Sequence, residues 1–217
     1  MNGSAQRLPL TIWVGLGLLF SLLGLMYLLS LAEYGRARQK ALPVIDQVAN
    51  FTLTNQDGNV TTLADLSNHV WVADIIFTRC AGSCPVMSTQ MKSLQDALPP
   101  TSRAKLVTLT TDPDYDAPAI LKRYGEHYGA DFQRWTFLTG AKGELAGLAG
   151  TSLKLGSTPV PPADRKSPVD LFIHSTIFVV VDRQARLRGS FQTEGQDVDW
   201  TKIRPQIIAT VKALEGD

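Results

Sequence analysis

The chain is poor in cysteine, with two residues, Cys80 and Cys84, among 217. That scarcity excludes a small fold held together by several disulfides. Histidine is nearly as rare, so His69, His127 and His174 are the only imidazoles available for ligation. A charge excess of either sign is missing as well: 21 basic residues face 20 acidic ones. Nucleic-acid binding shows as a basic face or stripe. None is present, so no nucleic-acid partner is expected. Internal repeats and low-complexity tracts are also absent.

What the sequence does contain is one long uncharged run, Leu8 to Ala32, LPLTIWVGLGLLFSLLGLMYLLSLA. As a helix it exceeds the ~20 residues needed to cross a bilayer and satisfies its own backbone groups there. The rival is a cleaved signal peptide, for which Ser30-Leu31-Ala32 supplies a small-x-small site. Cleavable apolar cores run only ~7–15 residues, so a retained anchor is expected. Arg7 flanks one end and Arg36, Arg38 and Lys40 the other. Counting Lys and Arg would place the C-terminal part inside, but large domains translocate despite such charge. Orientation stays open on these grounds. The expected organisation is a tail at 1–7, an anchor at 8–32, a polar linker at 33–48 and one domain at 49–217. Without the anchor about 175 residues remain, enough for one core.

Within that domain FTLTNQDGNVTTL alternates around Asp57-Gly58, a hairpin signal, and His69–Phe77 reads as a central buried strand. Met87, Met91, Leu94 and Leu98 fall on one helical face, which makes the methionines core residues rather than ligands. AKLVTLTT and WTFLTG read as further strands, with a helix after Asp116 as N-cap between them and a glycine-weakened helix at KGELAGLAGTSLKL. A proline-rich loop follows. FIHSTIFVVVD and RLRGSF then pair as strands turning near Asp182–Ala185, and the last helix aligns Trp200, Ile203, Ile207, Val211 and Leu214. This order predicts an α/β fold: a thioredoxin-like sandwich with an added N-terminal β-hairpin, tethered by one transmembrane helix.

Both cysteines lie in FTRCAGSCPVM, where the first core strand meets its helix. Pro85 disfavours the helical region for the residue before it, so Cys84 is expected just outside the helix with Pro85 as its first position. Gly82 lets the intervening loop bend back. Oxidised, the pair could close a disulfide; reduced, both thiols sit at a helix N-terminus that favours thiolate, with Arg79 adding to the effect. Two thiolates form a soft ligand set suited to copper(I) or zinc. His174 starts the strand after the proline-rich loop and is placed toward Cys80, whereas His69 and His127 read as surface residues. Zinc wants a fourth ligand, and Asp170 is a poor one; three ligands of this softness fit copper better. Asp112 and Asp116 read as turn and capping residues, Asp112 at the rim of the site.

Four segments in order carry a resemblance to the Sco/SenC family of membrane-anchored copper proteins. They are FTLTNQDGNVTTLADL, FTRCAGSCPVM, TTDPDYDAP and IHSTIFVVVD. The resemblance implies a metallochaperone that binds copper through Cys80, Cys84 and His174. It implies delivery to the dinuclear copper site of cytochrome c oxidase, or a thiol-disulfide reductase keeping that site's cysteines reduced. The oxidase subunit is the implied partner, with periplasmic copper chaperones or thiol reductants beside it. The implied location is the inner membrane with the domain in the periplasm, since no arginine-rich transit peptide precedes the anchor. Two positions depart from the pattern: Ile173 stands where many members carry an aspartate before the metal histidine, and Arg79 replaces a histidine or small polar residue.

Overall fold

The computed structural model describes residues 10–40, 42–165 and 171–216. The chain divides between Ala41 and Leu42 into two compact units. Among the described residues the first is one helix, α1 (Leu10–Lys40). Its Thr11–Ser30 stretch has a mean hydropathy of 2.2, long and apolar enough to cross a membrane by length and composition. The helix runs on to Lys40, through residues expected to form the start of the linker.

The second unit is built on one eight-stranded sheet and a two-stranded ribbon. Its elements are β1 (Asp46–Gln47), β2 (Thr52–Asn55), β3 (Val60–Thr62), a one-turn α2 (Leu63–Leu66) and β4 (Trp71–Ile76). Then come α3 (Ser83–Ala97), β5 (Lys105–Thr110), α4 (Pro118–His127), β6 (Trp135–Thr139) and α5 (Lys142–Ala146), which continues as a π-helical turn over Gly147–Ser152. The ribbon strands are β7 (Ser157–Pro159) and β8 (Phe172–His174); β9 (Ile177–Val181), β10 (Arg186–Gln192) and α6 (Trp200–Glu215) complete the chain. The sheet order is β1-β10-β9-β4-β5-β6-β2-β3, with β4, β5 and β6 parallel and the flanking pairs antiparallel. This is the thioredoxin-like α/β sandwich with an N-terminal hairpin, β2–β3, added at one edge. Gly58, with φ of 80°, supplies the left-handed residue that the hairpin turn needs.

Every residue of β4 is buried because both faces of the sheet are covered. Trp71, Ala73 and Ile75 point into one core with Val107, Leu109 and Leu138. Val72 points into the other, where Met87, Met91 and Leu94 of α3 meet Ile207, Val211 and Leu214 of α6. The methionines are therefore core residues, as their helical spacing predicts.

Three expectations need correcting. Residues 42–48, read as linker, belong to the body. Asp46 and Gln47 pair with Leu187 and Arg186, and the buried Arg188 donates to the carbonyls of Leu42 and Pro43 while Asp182 balances its charge. A two-residue strand has too few side chains to show a period. FIHSTIFVVVD is also not one strand. β8 pairs with β7 in the separate ribbon, and the chain breaks at Ser175, whose N–H donates to Gly156 O, before β9 joins the main sheet. Asp116, expected as the N-cap of α4, is buried instead, and Ala117 takes the cap position with Pro118 as the first helical residue.

Candidate metal centre

β4 delivers the chain to the end of the sheet at Ile76, and the next residues form the loop that carries Cys80. Buried Asp116 fixes the start of this loop. Its carboxylate accepts from Thr78 N–H at 3.1 Å and from the hydroxyls of Thr78 and Thr110, tying the end of β4 to the end of β5. Burial pushes the Asp116 carboxyl upward against those hydrogen bonds. Arg79 is held from two sides, by Asp112 at 2.5 Å and by the Tyr115 ring, whose centroid lies 4.1 Å from the guanidinium carbon. Asp112 thus reaches the residue before Cys80 and is not one of the converging ligand groups. Cys80 N–H then donates to Phe77 O at 3.1 Å, turning the chain toward α3.

α3 begins at Ser83, after Gly82, so Cys84 lies inside the first turn and not before it. Pro85 is tolerated there because the first four N–H groups of a helix have no intrahelical acceptor. The early start buries Cys84 completely, against Ile76 and Phe77, and leaves Cys80 half-buried on the loop.

β8 brings His174 from the other side. Its Nε2 lies 3.0 Å from Cys84 Sγ and 3.5 Å from Ser83 Oγ, and its ring packs edge-on to Phe77. Nδ1 lies 3.2 Å from Ser175 O. That carbonyl can only accept, so Nδ1 carries a proton in either state; the neutral ring presents its Nε2 lone pair to the sulfurs, and the protonated ring donates from Nε2 to the Cys80 sulfur. The ligand atoms of Cys80, Cys84 and His174 lie within 4.8 Å of one another, the only such group of His, Cys, Asp and Glu found among the described residues. Both cysteines are free thiols.

The two thiols are driven apart. A hydrogen bond from Cys84 holds Cys80 down to about 4 despite partial burial, with further support from His174 and Gly82 N–H. The same hydrogen bond, together with burial, pushes Cys84 far up. Burial pulls His174 down, but the Cys80 sulfur and the Ser175 carbonyl outweigh it and the net shift is upward. The reduced pair is thus one thiolate sharing one proton, facing an imidazole. Two sulfurs and a nitrogen converging in this way make a soft, three-point site with one accessible side.

His69 and His127 stand apart from this group. His69 Nδ1 meets Arg103 O at 2.9 Å, and His127 is exposed on α4. Asp170 lies outside the described residues. Ile173 is 69% exposed, and no acid directly precedes His174 in the chain, although buried Asp74 acts on the ring through space. Asp74 is a further buried acid near the site, without an expected role in the sequence. It is fully buried on β4, accepts from Thr108 Oγ1 at 2.7 Å and is pushed up by burial to about 7. A single acid inside the run His69–Phe77 was its signal.

The SCO1/SenC family model matches residues 40–207. A SCO1 protein homolog of Bacillus subtilis is 37% identical over 114 residues, which is 52% of this chain and 59% of that relative's length. The solved structure of BsSco, described as a member of the Sco family of cytochrome c oxidase assembly proteins with a disulfide switch, is 29% identical. It superposes with a TM-score of 0.64 over 79% of this chain and 95% of that one. Bradyrhizobium japonicum ScoI, solved with copper bound, shares the fold at 21% identity and a TM-score of 0.59, over 77% of this chain and 99% of that one. With its Cys-x-x-x-Cys-Pro loop, facing histidine and thioredoxin-like sheet, the chain belongs to the SCO1/SenC family.

Proposed function

We propose that the protein is a copper metallochaperone. It is tethered by α1 to the inner membrane with its body in the periplasm, and it delivers copper to the dinuclear copper site of cytochrome c oxidase during assembly. The observation that carries this reading is the convergence of Cys80 Sγ, Cys84 Sγ and His174 Nε2 within 4.8 Å. Family membership and the copper-bound relative support the choice of metal. Two thiolates and an imidazole match copper(I) in softness, and three ligands leave zinc one short of its tetrahedron.

The asymmetry of the pair suits a carrier. Cys80 is already a thiolate and half-exposed, so it makes the first capture. Cys84 must give up its proton as the metal seats, and His174 closes the set. Release runs in reverse: an incoming thiolate of the acceptor displaces Cys80, the accessible ligand, before the buried Cys84 lets go. Anaerobic copper(I) titration of the full chain in detergent tests this against a competing chelator. One copper per chain is expected, and His174→Ala is expected to weaken binding by at least about tenfold, the loss already typical of a residue that only supports a ligand. Undiminished affinity in that variant contradicts the three-ligand site.

A second reading rests on the same asymmetry. A half-exposed thiolate beside a buried thiol is also the arrangement of a thiol-disulfide reductase. In that role Cys80 attacks a disulfide of the acceptor, the displaced thiolate leaves, and Cys84 resolves the mixed disulfide. Accumulation of a trapped mixed disulfide with the acceptor in Cys84→Ser favours this reading; its absence counts against it.

A further inference from the structure

Beside the metal centre lies a cavity of about 510 Å³ that the proposed chemistry does not use. Its floor is apolar, made by Ile75, Leu145, Ala149, Leu155, Leu171 and Phe172. Charged groups complete the lining, with Arg79 paired to Asp112, Lys142 paired to Asp114, and Arg165 beside them. The cavity and the centre share walls. Arg79 is the residue before Cys80, and Phe172, two residues before His174, packs on Phe77 with ring centroids 5.4 Å apart.

We propose that this cavity is the docking pocket for the copper acceptor, receiving a bulky apolar side chain that the acceptor presents next to its own metal ligands. The proposal rests on the copper-delivery reading. Ligand exchange requires the acceptor's ligands to reach bonding distance of the copper held by Cys80, Cys84 and His174, so its surface must cover the ground around them. A stable interface buries roughly 800 Å² on each partner, a disc of about 16 Å radius. Arg79 stands one Cα step from Cys80, about 3.8 Å, so the mouth of the cavity falls inside that disc. An apolar floor inside a ring of polar groups is the setting in which a few buried anchors supply most of the binding energy. An anchor seated against Phe172 holds the acceptor in register with the metal, so transfer depends on the pocket while copper capture does not.

The test fills the pocket without touching a ligand. Gly150 lines the cavity, and a Cβ built there meets nothing within 4 Å, so Gly150→Phe projects into open space. Ala146→Phe, at an exposed lining position, is a second filler. Gly143→Phe is the control, because Gly143 also has open space around its Cβ but does not line the cavity. The copper(I)-loaded full chain, in detergent micelles, is mixed with the apo form of the soluble dinuclear-copper domain of the same organism's oxidase. Copper(I) affinity and transfer are read separately. Both fillers are expected to keep wild-type copper affinity but to weaken acceptor binding, and to slow transfer at limiting acceptor, by about tenfold or more. Gly143→Phe is expected to match wild type. Wild-type transfer by both fillers overturns the docking pocket and leaves the delivery reading standing. Absence of transfer from the wild-type chain, despite tight copper binding, overturns the delivery reading and the pocket together.

Discussion

At the residue scale the site is defined by two identical functional groups in opposite states. Cys80 is held as thiolate and Cys84 as thiol because the proton between them sits on the buried sulfur. Copper loading must therefore release that proton, and copper affinity must rise with pH. We expect the copper(I) affinity to climb about tenfold per pH unit above the His174 pKa, where one proton leaves. Below it the slope approaches twice that, since His174, itself shifted up, must also deprotonate to ligate. Competition titrations from pH 5.5 to 8.5 check this; a flat profile contradicts the shared proton. Asp74 makes a different prediction. Its folded carboxyl titrates at about 7 against an ordinary 3.8, so between those values the folded chain binds the proton more tightly than the unfolded one. Stability contributed by this group is present in acid, falls as pH rises through that window and stays low above it. Asp74→Asn is expected to flatten that fall and to stabilise the protein at pH 8, by at most about 4 kcal/mol from the size of the shift. Urea unfolding at pH 5 and pH 8 measures both.

At the element scale the geometry comes from where strands and helices end. Asp116 joins the end of β4 to the end of β5 through Thr78 and Thr110, so it sets the height of the cysteine loop above the sheet. Asp116→Ala leaves two hydroxyls and an N–H without their acceptor. A loss of roughly 2–4 kcal/mol is expected in chemical denaturation, with weaker copper binding alongside it. Much at this scale was legible in the sequence. The apolar run His69–Phe77, the Met87–Leu98 face and the Asp57-Gly58 turn each carry a period or a turn residue that physics reads locally. The misreadings share a cause. Pro85 and Asp116 suggest their commonest local roles, helix boundary and N-cap, whereas tertiary burial decides both. β1 and β8 are too short to show a pattern, and their partners β10 and β7 are distant in sequence or across a loop. Strand order places the start of β9 beside the end of β4, the end where His174 meets the sulfurs, but the β7–β8 ribbon that carries the histidine there has no pattern in the sequence.

At the scale of the whole molecule, a body held by long-range contacts presents its metal group at one end of the sheet. Residues 42–48 are fastened to that body by β1 and by Arg188, so the folded unit begins directly at Leu42. Both cysteines and His174 approach the site from separate elements, a loop, a helix and a ribbon strand, each braced by the buried sheet. A site assembled in this way is preorganised for a metal. The most direct test is X-ray absorption at the copper edge on the full chain loaded with one equivalent of copper(I) without oxygen. A three-coordinate copper with two sulfurs and one nitrogen is expected, the nitrogen lost in His174→Ala and one sulfur lost in Cys80→Ser. A wild-type spectrum with two sulfurs and no nitrogen, unchanged in His174→Ala, would contradict it.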